Sequence, residues 1–310
     1  MQTKITVNAK EICLNLFEQL LKSDQFSASV HSIFSHVINL QTKFGLCSLL
    51  CKTSLRPYSV VLDNVSSFEN WNIYKDTLFF IDASQINSKT TPLISLKNAR
   101  QVNLKMPPME AMDVNETIAG AAEKLNIIAE SVYRSGCHEG LAPLLSSAAF
   151  PVKENPYSLF LRSRIAEFCR VMPGSDLEQI RYCTARIAGC GPGLTPSADD
   201  FICGFLPVFA ALTFSERLLA AEKIKIVTSE AAAHTTSVSA SFLHHCAQGL
   251  YSANVLEFVK TLFETHDTRK LRECCEKIIQ SGSSSGADCL CGAYHALKAF
   301  YGRKIKPMLL

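Results

Sequence analysis

The chain has 310 residues, of which 47% are hydrophobic and 19% are charged, and its formal net charge is +3. This composition excludes an intrinsically disordered chain and suffices for two modest domains or one large one. The small net charge and the lack of a dense Lys/Arg run argue against nucleic acid as a partner, whereas mild basicity suits a small anionic substrate. The longest apolar run, 201–214, contains Pro207 and is too short to span a bilayer, so we expect no membrane partner.

Thirteen cysteines, an odd number, lie mostly within apolar runs. The N-terminus lacks the apolar segment of a signal peptide. We therefore expect a cytoplasmic protein with free, buried thiols. No pair of cysteines has the Cys-x2-Cys framework of a structural zinc site, so no metal is expected at Cys47/Cys51, Cys274/Cys275 or Cys289/Cys291.

The N-terminal third is predicted to form one helix and a small β domain. Residues 9–22 have apolar positions at helical spacing, and Asn8 with Glu11 resembles a capping box. From about 29 to 105, β-branched and aromatic runs alternate with Gly, Pro, Asn and Asp, which is typical of a mostly antiparallel sheet. These runs cover 30–40, 45–51, 58–63, 77–82 and 101–105.

Helices are predicted for the rest of the chain, after a connector at 106–116. Apolar positions recur there every three or four residues. The predicted fold class is α+β, with an N-terminal, small antiparallel β domain (1–108) and a larger, mainly α-helical domain (109–310). Helical segments are expected at 118–132, 161–169, 177–187, 201–213, 215–233, 236–248, 253–264, 267–280 and 287–300.

One internal repeat occurs within the helical region. Ser197-Ala-Asp-Asp-Phe-Ile-Cys-Gly204 aligns with Ser285-Gly-Ala-Asp-Cys-Leu-Cys-Gly292. Chance could produce this match in a cysteine-rich chain. Because both copies occur where a loop of small residues meets an apolar helix, we predict two equivalent loop–helix elements. We call residues 189–197 the first loop and residues 282–292 the second loop.

The first loop has features of an anion-binding site. Gly189, Gly191 and Gly193 can adopt positive φ, so that successive N–H groups point inward. Pro196 suits the first helical position with Thr195 as N-cap, and a helix start attracts phosphate or carboxylate. The lysine of a phosphate-binding P-loop is missing, and no strand precedes the glycines. A tight turn between helices is the plain alternative.

The carboxylates of the two loops carry the stronger signal. Beside an apolar helix, only one of Asp199 and Asp200 can readily face solvent, and a buried carboxylate needs donors, a cation or a substrate. The second loop offers serine hydroxyls and Asp288. In segment 234–249, Thr235 or Thr236 can cap a helix, with Ser239 one turn on; ordinary capping is the plain alternative there. His244 and His245 lack a Glu-x-x-His partner.

These segments resemble a bacterial family with the signature G-x-G-P-G-L-T-P-S-x-D-D, which includes the AllH-type subunit of oxamate carbamoyltransferase, encoded with allantoin-degradation genes. The first loop and its helix read G-C-G-P-G-L-T-P-S-A-D-D. The second loop is similar to the family's G-H-T-S-G-A-D run, 235–249 to its T-T-x-V-S run, and 38–50 to its I-N-L-x4-G pattern. Two departures are Ala198 in place of Gly, and Ser283-Ser284 in place of His-Thr, which leaves the role of that His open.

The resemblance implies carbamoyl transfer between oxalurate and phosphate, giving oxamate and carbamoyl phosphate, in allantoin and purine nitrogen catabolism. It also implies a multi-subunit complex with other carbamoyltransferase subunits, one of them similar to acyl-CoA synthetases. The chain would then contribute part of an active site. Its small anionic ligand would be carbamoyl phosphate, oxamate or oxalurate.

Carbamoyl transfer needs donors for phosphate oxygens and acceptors for the carbamoyl NH2 group. We hypothesise that the first loop holds phosphate and that an aspartate binds the carbamoyl NH2 or the oxamate amide. The candidate catalytic residues are Asp199, Asp200 and Asp288. The candidate substrate- or phosphate-binding residues are Gly191, Gly193, Thr195, Ser197, Thr235, Thr236, Ser239, Ser284, Ser285 and Gly286.

Two other functions stay open at this point. The chain could be a non-catalytic anion- or nucleotide-binding or assembly subunit, with the chemistry on partner chains. It could also be a Mg²⁺-dependent hydrolase with Asp199, Asp200 and Asp288 as oxygen ligands, and Mg²⁺ is therefore the one cofactor considered. The sequence does not show whether the two loops meet.

Overall fold

The structure is a computed structural model that describes residues 6–107, 120–213, 216–264 and 267–305. Residues 302–305 are described by their backbone alone. It confirms the α+β class, with a β-sheet domain followed by a helical domain. Residues up to Lys105 together with Tyr251–Ala253 form one compact unit, and the remaining residues form a second. The predicted connector at 106–116 lies mostly outside the described residues, so the boundary at residue 108 stays a prediction.

A nine-stranded sheet occupies residues 6–102 and is mostly antiparallel, as predicted. Its order is β5-β4-β3-β2-β6-β7-β8-β1-β9, and β5 also pairs with β1, so the sheet closes on itself. Only the β1–β8, β1–β9 and β4–β5 pairings are parallel. The strands are β1 Thr6–Cys13, β2 Phe26–Ile33, β3 Val37–Thr42, β4 Gly45–Leu50, β5 Ser59–Leu62, β6 Leu78–Ile81, β7 Gln85–Asn87, β8 Leu93–Ser95 and β9 Arg100–Val102.

The predicted helix over 9–22 is wrong over its first five residues. Residues up to Cys13 belong to β1, and only α1, Leu14–Leu21, is helical. The expected capping box at Asn8 and Glu11 therefore does not form. Glu11 instead lies opposite Val61 and Arg100 in the sheet. Pairing with strands distant in sequence overrides the local helical spacing, which carries no information about such partners.

The other strand runs were mostly predicted correctly, with two exceptions. The run over 30–40 contains parts of two strands, because the chain turns between β2 and β3. The short strands β7 and β8, three residues each, were missed. Strands of that length contain too few residues for an alternating pattern to be visible.

The helical domain begins, within the described residues, at α2 and agrees closely with the predicted segments. No helix among these residues is long and apolar enough to cross a membrane. A short 3₁₀ helix, Ala142–Leu145, lies between α2 and α3. The α-helices are α2 Ala121–Arg134, α3 Pro156–Val171, α4 Leu177–Ala185, α5 Ser197–Leu212, α6 Arg217–Ala233, α7 Ser237–Ala247, α8 Ala253–Glu264, α9 Thr268–Ile279 and α10 Ser285–Ile305.

Helices α5 and α10, the two copies of the internal repeat, pack directly against each other. Gly204 on α5 lies against the Cys289 carbonyl, and Gly292 on α10 lies against the Phe201 carbonyl. In the repeat, Gly204 is equivalent to Gly292 and Phe201 is equivalent to Cys289. The contact is therefore approximately two-fold symmetric. The missing Cβ atoms let the backbones approach closely, and this close packing places the two helix starts near each other.

Gly204→Ala is expected to destabilise the helical domain by about 3 kcal/mol, because the new Cβ would overlap the Cys289 carbonyl oxygen. In an unobstructed helix the same change would stabilise by about 1 kcal/mol, so the sign of the effect is informative. Thermal unfolding followed by circular dichroism measures it. Ala210→Ser, at a half-buried site on the same helix, is the control and should change little. An unchanged or raised melting temperature for Gly204→Ala would contradict this packing.

Candidate functional site

The two loops meet at the starts of α5 and α10. The hydroxyl oxygens of Thr195 and Ser285 lie 2.9 Å apart, within hydrogen-bond distance. Asp200 and Asp288 occupy equivalent positions in the first turns of their helices, and the charge of Asp288 raises the pKa of Asp200. The predicted loop–helix elements, distant in sequence, therefore form one cluster.

Asp199 is fully buried and its carboxylate is occupied by donors from within the chain. Oδ1 accepts a hydrogen bond from the Gly189 amide at 2.8 Å. Oδ2 accepts hydrogen bonds from the hydroxyls of Thr235 and of Ser239, the latter at 2.7 Å. Burial raises the pKa of Asp199, and these three hydrogen bonds counteract the rise. With both oxygens engaged, Asp199 ties the first loop to α7. This geometry favours a positioning role over the catalytic role proposed from the sequence.

The start of α7 supports the first loop from the other side. Thr236 is the N-cap, accepting the Ser239 amide at 3.1 Å, as predicted, and its hydroxyl also donates to the Leu194 carbonyl. The hydroxyls of Thr235, Thr236 and Ser239 thus all make contacts inside the protein. Their geometry favours holding the loop in place rather than binding a ligand.

The glycines of the first loop have the positive φ angles that were expected, and Gly191 shows why one is needed. Gly191 has φ +138°, and a Cβ there would overlap the Ser197 amide at the start of α5. The expected N-cap at Thr195 is wrong, since the cap is Pro196 and the helix begins at Ser197. The Ala198 amide donates to the Cys190 carbonyl at 3.0 Å, so the loop itself satisfies part of this helix start.

The start of α10 offers more to an anion than the start of α5. The first N–H groups of any helix lack intrahelical acceptors, and here they lie beside the half-buried hydroxyls of Ser284 and Ser285. Gly286 lets this turn pack against the end of α9, because a Cβ would overlap the Ile278 carbonyl oxygen. Ser283, which replaces the family's His, is exposed.

Asp288 is held by a backbone segment that the sequence reasoning did not identify. Its Oδ1 accepts the Leu141 amide at 2.6 Å, and Gly140 lies so close that a Cβ would overlap the carboxylate. Asn155, the N-cap of α3, donates to the Gly140 carbonyl at 2.9 Å and fixes this segment. A glycine followed by a leucine is too common a pair to be recognised from sequence alone.

Two carboxylate oxygens and one hydroxyl in the cluster have no hydrogen-bond partner among the described residues. These buried atoms are Oδ2 of Asp200, Oδ2 of Asp288 and Oγ of Ser197. Because unpaired buried polar atoms are costly, they mark a place where a polar ligand would recover hydrogen bonds.

The pKa values of both aspartates are raised. Burial raises the pKa of Asp288 to about 6, against the opposing effects of the Leu141 amide and the nearby Ser197 and Ser284 hydroxyls. Burial also raises the pKa of Asp200 well above its ordinary value; the nearby Ser285 and Thr195 hydroxyls oppose the rise, and the charges of Asp288 and Asp199 add to it. The pKa of Asp200 therefore lies well above that of an ordinary carboxyl group, beside an Asp288 whose pKa is about 6. Such a pair can donate and accept protons.

Asp288→Asn is expected to flatten the pH dependence of stability. The native pKa of about 6 lies above the ordinary 3.8, so the folded state binds the proton more tightly, and wild-type stability falls as pH rises between these values. Asp288 contributes about 3 kcal/mol to the pH-dependent part of the free energy of unfolding, and the substitution removes this contribution. Chemical unfolding at pH 4 and pH 7 measures it. Asp176→Asn, at the exposed N-cap of α4, is the control. The same pH dependence in wild type and Asp288→Asn would contradict the assigned burial.

The described residues contain no group of three or more His, Cys, Asp or Glu side chains arranged to hold a metal ion. His244 is exposed, and His245 is buried with its pKa lowered to about 4 by burial and by the His244 charge. All thirteen cysteines are free thiols, and most are buried, as predicted. The thiols of Cys203 and Cys289 lie near Asp200, where burial raises the pKa of Cys289 and the Asp200 charge adds to the rise.

The fold and this cluster define a class of two-domain α+β protein in which paired loop–helix elements meet at two aspartates. The sequence model of the family described as oxamate carbamoyltransferase subunit AllH matches residues 187–297, which include both loops and α7. The model of the AllH family N-terminal domain matches residues 8–101, which cover nearly all of the sheet. The chain therefore belongs to the AllH family of oxamate carbamoyltransferase subunits. No solved structure matches it.

Proposed function

We propose that this chain binds the carbamoyl-bearing substrate of an oxamate carbamoyltransferase, which converts oxalurate and phosphate into oxamate and carbamoyl phosphate. The observation that carries the proposal is the set of unpaired buried oxygens of Asp200 and Asp288, close together at two helix starts. The family membership supports the subunit role, and the cluster supports a part in the chemistry.

The cluster suits both chemical parts of the substrate. Oxalurate, oxamate and carbamoyl phosphate all carry amide-type N–H groups, which need acceptors such as a carboxylate oxygen. The phosphate or the oxalyl carboxylate needs donors, and the start of α10 with Ser284 and Ser285 provides them. Holding both reactants in one orientation can lower the barrier by several kcal/mol.

The raised pKa values of Asp200 and Asp288 suit the transfer step. A phosphate oxygen attacks the carbamoyl carbon, the new C–O bond forms, and the C–N bond to the oxamate nitrogen breaks. Asp200 acts in its protonated form, which its raised pKa favours, and donates its proton to the departing nitrogen. The proton of the attacking hydrogen phosphate returns to Asp200, so charge and atoms balance over the cycle. The ionised Asp288 accepts a hydrogen bond from the carbamoyl NH2 group and so holds the carbonyl in position for attack.

The partners in the proposal are the other carbamoyltransferase subunits, one of them acyl-CoA-synthetase-like, in allantoin-linked nitrogen catabolism in the cytoplasm. Part of the active site would come from those chains. Mg²⁺ would act through the phosphate rather than through a cage of protein ligands, since such an ion commonly keeps several waters and one or two carboxylates. Because the Asp199 oxygens are occupied, three-aspartate ligation in a Mg²⁺-dependent hydrolase is disfavoured.

Ligand-dependent thermal stability of the purified chain tests the proposal and separates it from the assembly alternative. Oxamate or carbamoyl phosphate at 100 times its Kd is expected to stabilise the chain by about 2.7 kcal/mol, and Asp288→Asn should abolish the effect. The Asp176→Asn variant should respond as the wild type does. Stabilisation by partner subunits alone would favour an assembly role. Loss of turnover in the reconstituted complex on adding EDTA would establish the Mg²⁺ requirement.

A further inference from the structure

A concave site lies in the helical domain, between α3 and α10. Its volume is about 510 Å³, within the range of small-molecule sites. Leu144, Ile165 and Cys169 form much of its apolar wall, and none of its lining residues belongs to the aspartate cluster. The family membership and the proposed reaction leave this cavity without a role.

The cavity is positively charged at its edge. Arg162, Arg170 and Lys298 line it, and no Asp or Glu is among its lining residues. Arg162 is paired with Glu154. In the part of the chain that the structure describes, neither Arg170 nor Lys298 has a carboxylate partner, and the Lys298 ammonium lies 5.5 Å from the Tyr294 ring centroid.

A half-buried histidine, His295, completes the wall on the α10 side. Burial, together with the charges of Lys298 and Arg162, lowers the pKa of His295 to about 3. The imidazole is therefore neutral at physiological pH and adds no charge to the cavity. Its Nε2 is buried without a hydrogen-bond partner among the described residues. The cavity thus combines an apolar wall, a buried nitrogen without a hydrogen-bond partner and two cations without a carboxylate partner among the described residues.

We propose that this cavity binds a small amphiphilic anion, a carboxylate or phosphate monoester on a hydrocarbon body. The anionic head lies between Arg170 and Lys298, and the hydrocarbon packs against Leu144 and Ile165. Both parts are needed, since an uncharged hydrocarbon leaves the cations unpaired and a small polar anion leaves the apolar wall in water. The guanidinium of Arg170 provides paired donors that match either head group.

Isothermal titration calorimetry of the full chain tests this inference with a matched set of probes. Octanoate or octyl phosphate should bind at one site per chain, and hexanoate should bind about tenfold more weakly than octanoate because two buried methylenes are lost. Octan-1-ol and acetate, which each lack one part of the ligand, should bind at least about tenfold more weakly. Whether octanoate or octyl phosphate binds more tightly identifies the head group.

Variants locate the binding in this cavity. Arg170→Gln and Lys298→Gln should each weaken octanoate or octyl phosphate binding by about tenfold, because both residues are exposed and neither change should disturb folding. Arg164→Gln is the control, since Arg164 lies on the same helix but outside the cavity, stacked on Phe160. Equal affinity for octanoate and octan-1-ol, or wild-type affinity in both cavity variants, would overturn the inference. The readout is binding alone, so its failure is independent of the carbamoyl-transfer proposal.

Discussion

Asp200→Asn is expected to lower the turnover of a reconstituted carbamoyltransferase complex by about 100-fold or more, the usual contribution of a positioned general acid. Asparagine has the same shape and charge as the protonated Asp200 but has no proton to transfer. Burial raises the pKa of Asp200 well above its ordinary value and so favours the neutral form, whose charge asparagine matches, and the substitution should therefore not destabilise the fold.

The measurement is steady-state phosphorolysis of oxalurate with the other subunits present, together with the melting temperature of each variant. Asp288→Asn should also lose activity, through a raised KM as well as a lowered kcat, because it removes an acceptor for the carbamoyl NH2. Asp176→Asn is the control for a surface Asp-to-Asn change. Wild-type turnover in both Asp200→Asn and Asp288→Asn would end the catalytic account and leave the chain as a binding or assembly subunit.

Asp199→Ala is expected to have the largest effect on stability, about 3 kcal/mol or more, because one buried and two part-buried donors lose their acceptor at once. The loss should include activity, since the first loop would no longer be tied to α7. Asp199→Asn should cost less, because its carbonyl oxygen can still accept the Gly189 amide while the two hydroxyls rotate to accept its NH2 group.

Thermal and urea unfolding measure this effect. The matched control is Asp176→Ala, which removes an exposed N-cap carboxylate and should cost about 1 kcal/mol. If Asp199→Ala destabilised no more than Asp176→Ala, the hydrogen bonds assigned to Asp199 would be of little consequence. A destabilised Asp199→Ala with full activity would instead separate the loop anchor from the site.

Much of the helical domain could be predicted because its helices carry one apolar face each. The repeat at Ser197–Gly204 and Ser285–Gly292 correctly indicated two equivalent loop–helix elements, and the argument from burial correctly placed one of two adjacent aspartates in the core. That argument left donors, a cation or a substrate open for the buried carboxylate, and the structure places donors around Asp199. The neighbouring Asp200 kept the unpaired oxygen.

The features that could not be predicted depend on contacts between distant parts of the chain. Residues 9–13 of β1 read as a helix because their pairing with β5 and β9 has no local signature. The amide of Leu141, which holds Asp288, lies in a segment with no motif. The hydrogen bonds that the Thr235, Thr236 and Ser239 hydroxyls make within the protein could not be predicted either, since a capping residue and a ligand-binding residue have the same sequence pattern.

The central claim is that Asp200 and Asp288 face one shared ligand. The most direct test is a ¹³C NMR titration of the aspartate carboxyl carbons with oxamate, for the chain alone and with the other subunits present, the resonances being assigned with the two Asn variants. The account predicts that both resonances move along one saturating curve with a stoichiometry of one ligand per chain. Movement of only one resonance, or of neither under both conditions, would contradict it.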